Sequence, residues 1–264
     1  MEQARQRVIQ RDAAGVGALL QLVFFILFLG IVLALAAGGH HGGFHYLQSL
    51  TQALLPDPVW AAVTRFGDGR ILLVLSLLFV RRRPEIFWAM IVAAVIGGLY
   101  SRGMKIHFDA LRPPAVLPLA DIHLVGPKLT RHSFPSGHAL SAFLFAGVLF
   151  AFSDSRPQRV MLILAATLVG LSRVAVGVHW PQDVVAGAFS GLMIAAAGVW
   201  ITRYWQAGLA PVVHLGMLVV PVLAMFMLLE GDGGNPATPV LVCTVILVAS
   251  AKMLHDYRDI FRFS

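Results

Sequence analysis

Three segments of the chain concentrate residue types that bind anions and transfer protons. In order along the sequence they contain Lys105 and Arg112, then Ser136, Gly137 and His138, and finally Arg173, His179 and Asp183. Arginine binds a phosphate group through two parallel hydrogen bonds, and lysine adds a compact positive charge. The three cations have no obvious acidic partner beyond Asp109. These segments therefore predict a site for a phosphate group.

The middle segment also has the features of a helix start that faces an anion. Pro135, Ser136 and Gly137 directly precede a long apolar run. The first N–H groups of a helix lack partners within it and point towards an anion, which the helix dipole also favours. Because glycine has no side chain, Gly137 allows the backbone to come close to that anion. Together with the cations, this helix start predicts a cradle for phosphoryl oxygens that needs no metal ion.

Two histidines are the candidates for the reacting groups. Pro181 suits the first position of a helix, which would put His179 just before the helix and Asp183 in its first turn. A carboxylate at that position can hold one imidazole nitrogen protonated and leave the other as a free lone pair. His179 is therefore the predicted nucleophile, oriented by Asp183, and His138 is the predicted acid that protonates the leaving oxygen.

The composition indicates what kind of protein carries these segments. Apolar residues make up 58% of the 264 residues and charged residues only 12%, with a mean hydropathy of +0.79. Soluble domains are about 45–50% apolar and about 25% charged. The composition therefore favours a polytopic membrane protein and excludes a disordered chain, a coiled coil and most soluble enzymes. The single cysteine, Cys243, excludes an intrachain disulfide and a cysteine-based zinc site.

Eight apolar runs are candidates for membrane-spanning helices. They are Val16–Ala37, Ile71–Val80, Glu85–Met104, Gly137–Ser153, Val160–Val178, Val184–Tyr204, Pro211–Leu229 and Thr238–Leu254. We predict one all-α membrane domain over residues 1–264, because backbone exposed to lipid must satisfy its own hydrogen bonds. The first run could instead be a cleaved signal peptide, but its length of about 22 residues exceeds the 7–15 of a signal core. Ile71–Val80 is short, and the following Arg81-Arg82-Arg83 favours a span.

The segment Gly38–Gly69, between the first two runs, has a mixed composition. It predicts a polar loop at the membrane interface, followed by a short amphipathic helix lying on the membrane. His40, His41 and His45 could form a metal cluster, but no carboxylate lies beside them at the spacing of metal ligands. We therefore predict neither a metal site nor a cofactor.

The distribution of lysine and arginine predicts the orientation of the chain, with both termini cytoplasmic. Twelve of the 20 cations then fall on the inner side: Arg5, Arg7, Arg11, Arg81, Arg82, Arg83, Arg156, Arg159, Arg203, Lys252, Arg258 and Arg262. The other eight lie on the outer side: Arg65, Arg70, Arg102, Lys105, Arg112, Lys128, Arg131 and Arg173. Charges retained there against the bias favour a binding role. The net charge of +7 thus reflects topology and an anionic substrate, and nucleic acid is not an expected partner.

The order of the spans brings the three segments together on the outer side. No predicted span separates the first segment from the second, and two spans separate the second from the third. Lys105-x6-Arg112-Pro113, Pro135-Ser136-Gly137-His138 and Ser172-Arg173-x5-His179-x3-Asp183 together resemble the three-part signature of the type 2 phosphatidic acid phosphatase superfamily. The resemblance covers about residues 67–204, and every motif position matches.

This resemblance implies a six-helix membrane core, with residues 67–204 carrying the motifs, and metal-independent hydrolysis. It also implies a phosphohistidine intermediate on His179, with His138 as the acid. The residues implied to hold the phosphoryl oxygens are Lys105, Arg112, Ser136, Gly137 and Arg173. Soluble phosphatases and haloperoxidases share such motifs, but the composition excludes a soluble protein and His138 favours a phosphatase. Residues 211–254 lie beyond this core and predict two additional packing spans.

These observations leave three hypotheses about function. The first is a lipid phosphate phosphatase of a bacterial-type inner membrane, with its site on the periplasmic side. Its candidate substrates are undecaprenyl pyrophosphate, phosphatidylglycerol phosphate, phosphatidate and a lipid A phosphate. The second is a phosphotransferase that passes the same phosphate to another lipid. The third is a non-enzymatic lipid or anion transporter, which the interfacial position of the charges and the absence of an internal sequence repeat disfavour.

Overall fold

The structure, a computed structural model, describes residues 1–3, 6, 14–36, 38–231 and 238–261. Within residues 14–261 of this part, the α-helices are α1 (Ala14–Ala36), α2 (Phe44–Leu54), α3 (Asp57–Arg65), α4 (Gly69–Ser76), α5 (Pro84–Phe108), α6 (Pro113–Val116), α7 (Gly137–Phe152), α8 (Arg156–Ala175), α9 (Pro181–Tyr204), α10 (Pro211–Met217), α11 (Val219–Glu230) and α12 (Thr238–Phe261). Short 3-10 helices lie at Leu77–Phe79, Leu119–Asp121 and Ala207–Leu209. The described residues contain no strand. Four of the inner cations, Arg5, Arg7, Arg11 and Arg262, lie outside the described residues.

The all-helical membrane fold predicted from the sequence is confirmed. Six stretches of the described chain are long and apolar enough to cross a membrane, and they comprise α1, α5 with α6, α8, α9, α10 with α11, and α12. The two shorter apolar helices are Gly69–Phe79, which includes α4, and Gly137–Phe152, which is α7. These eight elements correspond to the eight predicted runs. Large apolar side chains such as Phe24, Phe28 and Leu35 are exposed on α1, as expected for a face that contacts lipid.

One predicted span is divided in two. The run Pro211–Leu229 forms α10 and α11, which are separated at Leu218. Pro221 has no N–H to donate, and its ring clashes with the carbonyl four residues earlier, which belongs to Met217. Met217 is the last residue of α10. The proline therefore accounts for the position of the break.

The segment Gly38–Gly69 differs from the prediction, because it forms two helices, α2 and α3, instead of one. Trp60 of α3 is buried and donates from Nε1 to the carbonyl oxygen of Thr51 in α2, at 2.9 Å. Phe44 of α2 packs against Val174 and Trp180, beside the end of α8. Phe44 and Trp60 thus pack at the end of α8, which α2 and α3 cover, while Tyr46, Leu50 and Leu54 of α2 are exposed.

The main core is formed by α1, α5, α7, α8 and α9, and the backbones of α7 and α9 come close together within it. Gly187 and Gly191 lie one turn apart on α9. A Cβ atom at Gly191 would lie 2.4 Å from the carbonyl oxygen of Leu140, and one at Gly187 would lie 2.5 Å from that of Ser136. Only glycine leaves room for this crossing. The crossing fixes the start of α7 beside the start of α9.

The two C-terminal spans pack against α4, in a second cluster away from the main core. Ile71 and Val74 of α4 contact apolar residues of α11 and α12. At the end of α12, Asp256 forms ion pairs with Arg82 (Nε to Oδ1, 3.0 Å) and with Lys252. The guanidinium of Arg81 lies 5.1 Å from the ring centroid of Tyr257. We call these five residues, Arg81, Arg82, Lys252, Asp256 and Tyr257, the Asp256 cluster.

Candidate active site

The loop between α8 and α9 places His179 against Asp183. The helix α9 begins at Pro181, as the sequence predicts, and Asp183 is in its first turn. Asp183 Oδ2 accepts the backbone N–H of Trp180 at 3.0 Å, which fixes the carboxylate at the helix start. His179 Nδ1 lies 3.3 Å from the same oxygen. Both side chains are buried, with His179 1% and Asp183 0% exposed.

The other ring nitrogen of His179 faces Arg112. Arg112 Nη1 lies 3.1 Å from His179 Nε2 and also 3.1 Å from the carbonyl oxygen of Val178. An arginine side chain has donors only, so it donates to Nε2, and Nε2 carries a lone pair. Nδ1 is then the protonated nitrogen, and it points at Asp183. This is the tautomer that a nucleophilic imidazole requires.

The charge state of His179 follows from its surroundings. Burial lowers the pKa of His179 to about 3, and the positive charges of Arg112 and Arg173 act in the same direction. The hydrogen bond with Asp183 opposes them, because it stabilises the protonated ring. At pH 7 the imidazole is therefore neutral, and its Nε2 lone pair accepts the hydrogen bond from Arg112.

Backbone carbonyls hold the guanidinium of Arg112 in one plane. Its Nε donates to the carbonyl oxygen of Arg131 at 2.8 Å, and its Nη2 donates to that of His132 at 3.3 Å. The loop that supplies these carbonyls is tied to the end of α5 by the ion pair between Arg131 and Asp109. Asp109, the acid nearest the three cations in sequence, thus pairs with Arg131.

The start of α7 meets Lys105 of α5. A Cβ atom at Gly137 would lie 3.4 Å from Lys105 Nζ, so the ammonium group is next to the first turn of the helix. Ser136 caps α7, because its Oγ accepts the backbone N–H of Ala139 at 3.5 Å. Its backbone N–H donates to the carbonyl oxygen of Asp183 at 2.9 Å, which joins the starts of α7 and α9. The hydroxyl hydrogen of Ser136 remains available to a ligand.

His138 and Arg173 complete the set of predicted site residues. His138 lines a cavity of about 780 Å³ between α4, α5 and α7, and Lys105 and Gly137 line the same cavity. Apolar residues, including Leu72, Met90 and Leu144, form other parts of its wall. Arg173, at the end of α8, donates from Nη1 to Thr64 Oγ1. The charge of Arg173 acts on both His138 and His179. The structure therefore brings the eight predicted residues together where α5, α7, α8 and α9 adjoin, with Arg112 on the loop that follows α5.

Two contacts of Asp183 could not be predicted from motif spacing. His40 Nε2 donates to Asp183 Oδ1 at 2.8 Å, and Ser133 Oγ donates to Asp183 Oδ2. His41 stacks on Trp180, with ring centroids 4.0 Å apart, and so holds the loop that carries His40. The paired histidines before α2 were the only sequence signal. Among the described residues, no group of three His, Cys, Asp or Glu is placed to hold a metal ion.

Comparison with known proteins decides the family. A family model described as the PAP2 superfamily matches residues 71–207. The chain belongs to the PAP2 superfamily. It is 30% identical over 187 residues to an undecaprenyl-diphosphatase of Sulfolobus acidocaldarius, which covers 68% of this chain and 89% of that protein. It is also 31% identical over 111 residues to a lipid A 1-phosphatase of Porphyromonas gingivalis, covering 41% of this chain and 22% of that protein.

A solved structure has a similar fold. The crystal structure of Aquifex aeolicus LpxE is similar with a TM-score of 0.54 and 29% identity, over 60% of this chain and 92% of that chain. The two relatives described above are named as phosphatases. This PAP2 protein is therefore an integral membrane enzyme that hydrolyses phosphate esters or anhydrides of lipids.

Proposed function

We propose that this PAP2 protein removes a phosphate group from a lipid phosphate or lipid diphosphate through a phosphohistidine on His179. The site lies at the outer face of a bacterial-type inner membrane, and no metal ion takes part. The proposal rests on one observation, that both ring nitrogens of His179 have a partner: Nδ1 faces Asp183, and Nε2 faces Arg112. A buried neutral imidazole with one oriented lone pair is suited to attack on phosphorus.

In the first step, the phosphoryl group displaces Arg112 from His179 Nε2. Arg112, Lys105, Arg173 and the N–H groups at the start of α7 then bind its oxygens. The Nε2 lone pair forms a bond to phosphorus while the bond from phosphorus to the leaving oxygen breaks. His138 gives its proton to that oxygen, which departs as the lipid alcohol or lipid monophosphate. The cations stabilise the negative charge spread over the phosphoryl oxygens.

In the second step, water cleaves the phosphohistidine. His138, which is now neutral, takes a proton from the attacking water as the new P–O bond forms. The P–N bond breaks, its electrons return to Nε2, and inorganic phosphate leaves. Asp183 holds the Nδ1 proton of His179 through both steps, so its role is to orient the ring and stabilise its positive charge.

The cavity beside His138 supports an amphiphilic substrate. Its wall combines apolar residues of α4, α5 and α7 with Lys105, Gly137 and His138 at a polar end. Such a lining suits a phosphate group joined to an acyl or prenyl chain. The names of the relatives support undecaprenyl diphosphate, while phosphatidylglycerol phosphate, phosphatidate and a lipid A phosphate are the other candidates.

The decisive experiment measures phosphate release by the purified protein in EDTA, with these four lipids as substrates. We expect release from at least one lipid, together with an acid-labile phosphoenzyme when the lipid carries a radioactive terminal phosphate. His179→Gln should abolish both signals, and His107→Gln, which changes an exposed histidine at the end of α5, should keep both. Activity that disappears with the chelator and returns with a metal ion would contradict the mechanism.

Product analysis tests hydrolysis against phosphate transfer. The motifs do not specify the acceptor, so the same phosphohistidine could react with water or with a lipid hydroxyl. We expect one free phosphate for each lipid consumed, and no newly phosphorylated lipid in mixed vesicles. Assays on intact spheroplasts and inverted vesicles with a membrane-impermeant substrate test the side, and only the spheroplasts should release phosphate.

A further inference from the structure

Arg65, the last residue of α3, is a cation outside the three motif segments. Its Nε and Nη2 atoms are buried and have no hydrogen-bond partner among the described residues. A buried guanidinium with unused donors is unfavourable, because it has lost its water without gaining another acceptor. Its position therefore requires an explanation.

A second arginine, Arg173, lies near Arg65 and also has a buried donor, Nε, without a hydrogen-bond partner in the described part of the chain. The positive charge of Arg65 acts directly on Arg173, and Arg173 Nη1 donates to Thr64 Oγ1, next to Arg65 in the chain. Two like charges held together repel each other, and the fold offers them no carboxylate within ion-pair distance among its described residues. An anion bound between them would supply the acceptors that both lack.

A lack of partners alone does not mark a ligand site. His214 Nδ1 is also buried and unpartnered, yet its ring packs against Phe87, away from the motif residues. An imidazole can stay neutral in such a place, whereas a guanidinium remains charged. Arg65 differs from His214 in its permanent charge and in its neighbour, Arg173, which the motif already assigns to phosphate.

The chain next to Arg65 contacts the residue on the leaving-group side of the reaction. A Cβ atom at Gly67 would lie 2.6 Å from His138 Cβ, so the turn after α3 packs directly on His138. Lys105 and Arg112 lie beside Gly137 and His179. Arg173 links this part of the site to Arg65, because its charge acts on His179 and it experiences the charges of both Arg112 and Arg65. Arg65 is thus the cation that lies beyond the motif residues, next to the turn that contacts His138.

We propose that Arg65, beside Thr64 and Arg173, forms a second phosphate subsite that binds the lipid-linked phosphate of a diphosphate, and that Arg173 is shared between this phosphate and the terminal one. This inference rests on the proposed phosphatase activity and narrows its substrate class to lipid diphosphates. His179 Nε2 bonds to the terminal phosphorus, and the bond from that phosphorus to the bridging oxygen breaks. The bridging oxygen takes the proton of His138 and departs as lipid monophosphate, whose charge Arg65 stabilises.

The test compares two substrates with the same prenyl chain, farnesyl diphosphate and farnesyl monophosphate. Arg65→Gln should lower kcat/KM for the diphosphate by about tenfold to a hundredfold, the effect of losing a charged hydrogen bond. It should lower kcat/KM for the monophosphate less than threefold. Lys128→Gln removes an exposed cation from the same predicted side and should change neither value. Equal losses on both substrates, or no loss on the diphosphate, would overturn the subsite.

A binding measurement keeps the proposal testable if Arg65→Gln folds poorly. Inorganic pyrophosphate and inorganic phosphate serve as competitive inhibitors of the wild type and of Arg65→Lys, which keeps the charge but loses the planar fork. The inhibition constant of pyrophosphate should rise in the variant, and that of phosphate should not. An unchanged ratio of the two constants would contradict the proposal.

The two proposals can fail separately. If the wild type hydrolyses both farnesyl substrates and Arg65→Gln weakens both alike, the phosphatase stands and the subsite is wrong. If the wild type releases phosphate from neither, nor from the four lipids above, the phosphatase proposal is wrong. Pyrophosphate should then still raise the unfolding temperature of the wild type more than that of Arg65→Lys, and equal shifts would remove the subsite as well.

Discussion

The cations near the two ends of α5 differ in whether they have acidic partners within the protein. The first residue of α5 follows the arginine triplet, where Arg82 pairs with Asp256 and Arg83 pairs with Glu85. The last turn of α5 carries Lys105, and no carboxylate lies within ion-pair distance of Lys105, Arg112 or Arg173 among the described residues. At about 1.5 Å per residue, the 25 residues of α5 separate these ends by roughly 36 Å. The cations at one end have acidic or aromatic partners within the protein, whereas the three motif cations at the other end have no acidic partner in the described part of the chain and can bind an anion.

This difference separates cations that stabilise the fold from cations that bind a ligand. In the Asp256 cluster, each cation contacts an acid or an aromatic ring of the same chain. In the site, the donors of Arg112 are held by carbonyl oxygens, which fix its position without cancelling its charge. The uncancelled charge is the feature that should govern activity. Substitutions in the site should therefore lower activity, whereas substitutions in the Asp256 cluster should lower the unfolding temperature.

The largest effect is expected from removal of the nucleophile. His179→Gln should lower kcat by about 10⁴-fold or more, because no covalent intermediate can form. The measurement is phosphate release in a coupled assay, with a substrate-protected unfolding temperature as the control for binding. A variant that kept more than a tenth of the activity would place the reaction elsewhere in the protein.

The next effect is expected at the orienting carboxylate. Asp183→Asn keeps the size of the side chain and an oxygen for the Trp180 N–H, but it removes the negative charge behind His179. We expect a fall in kcat of about 10²- to 10⁴-fold, with a much smaller change in KM. The measurement is steady-state kinetics, with Asp121→Asn, which changes an exposed acid between α6 and α7, as the control. If kcat were unchanged, Asp183 would serve only as a helix cap.

A moderate effect is expected at His40. Without the hydrogen bond from His40, Asp183 Oδ1 gains freedom, and the carboxylate holds the His179 ring less firmly. His40→Ala should lower kcat by about three- to tenfold, which corresponds to one ordinary hydrogen bond. His45→Ala changes an exposed histidine in the same segment and should have no effect. A loss that appeared only in KM would instead indicate contact with the substrate.

The smallest effect on catalysis is expected at the other end of α5. Asp256→Asn removes the acid that pairs with Arg82 and Lys252, and the exposure of Arg82 limits the cost to about 1 kcal/mol. The unfolding temperature in detergent should fall by a few degrees, while kcat/KM stays within twofold of the wild type. If kcat/KM of Asp256→Asn fell as far as that of Asp183→Asn, the cations at the two ends of α5 could not be divided into stabilising and ligand-binding ones.

Much of the fold and of the site followed from local patterns in the sequence. Apolar runs identified the spans because a helix that crosses a bilayer needs apolar side chains along most of its length. The motif spacings identified His179, His138 and the three motif cations as candidate site residues. The start of α9 at Pro181 was also predictable, since proline and an acid in the first turn are local signals.

Contacts between distant segments could not be predicted in this way. His40 meets Asp183 across 143 positions, and Thr64 meets Arg173 across 109 positions. No periodicity or spacing in the sequence encodes these pairs, since they arise from the way α2 and α3 fold over the end of α8. Through the same packing, α2 and α3 lie over the end of α8, beside the site.

The glycine crossing of α7 and α9 also has a consequence for how the chain tolerates change. A methyl group at Gly191 would need the two helices to separate by about 1 Å, and a displacement of that size in an active site can cost a hundredfold in rate. Side chains that face lipid carry no such restriction. A substitution on a lipid-facing side chain should therefore leave the separation of His138 and His179 unchanged, whereas one at Gly191 should alter it.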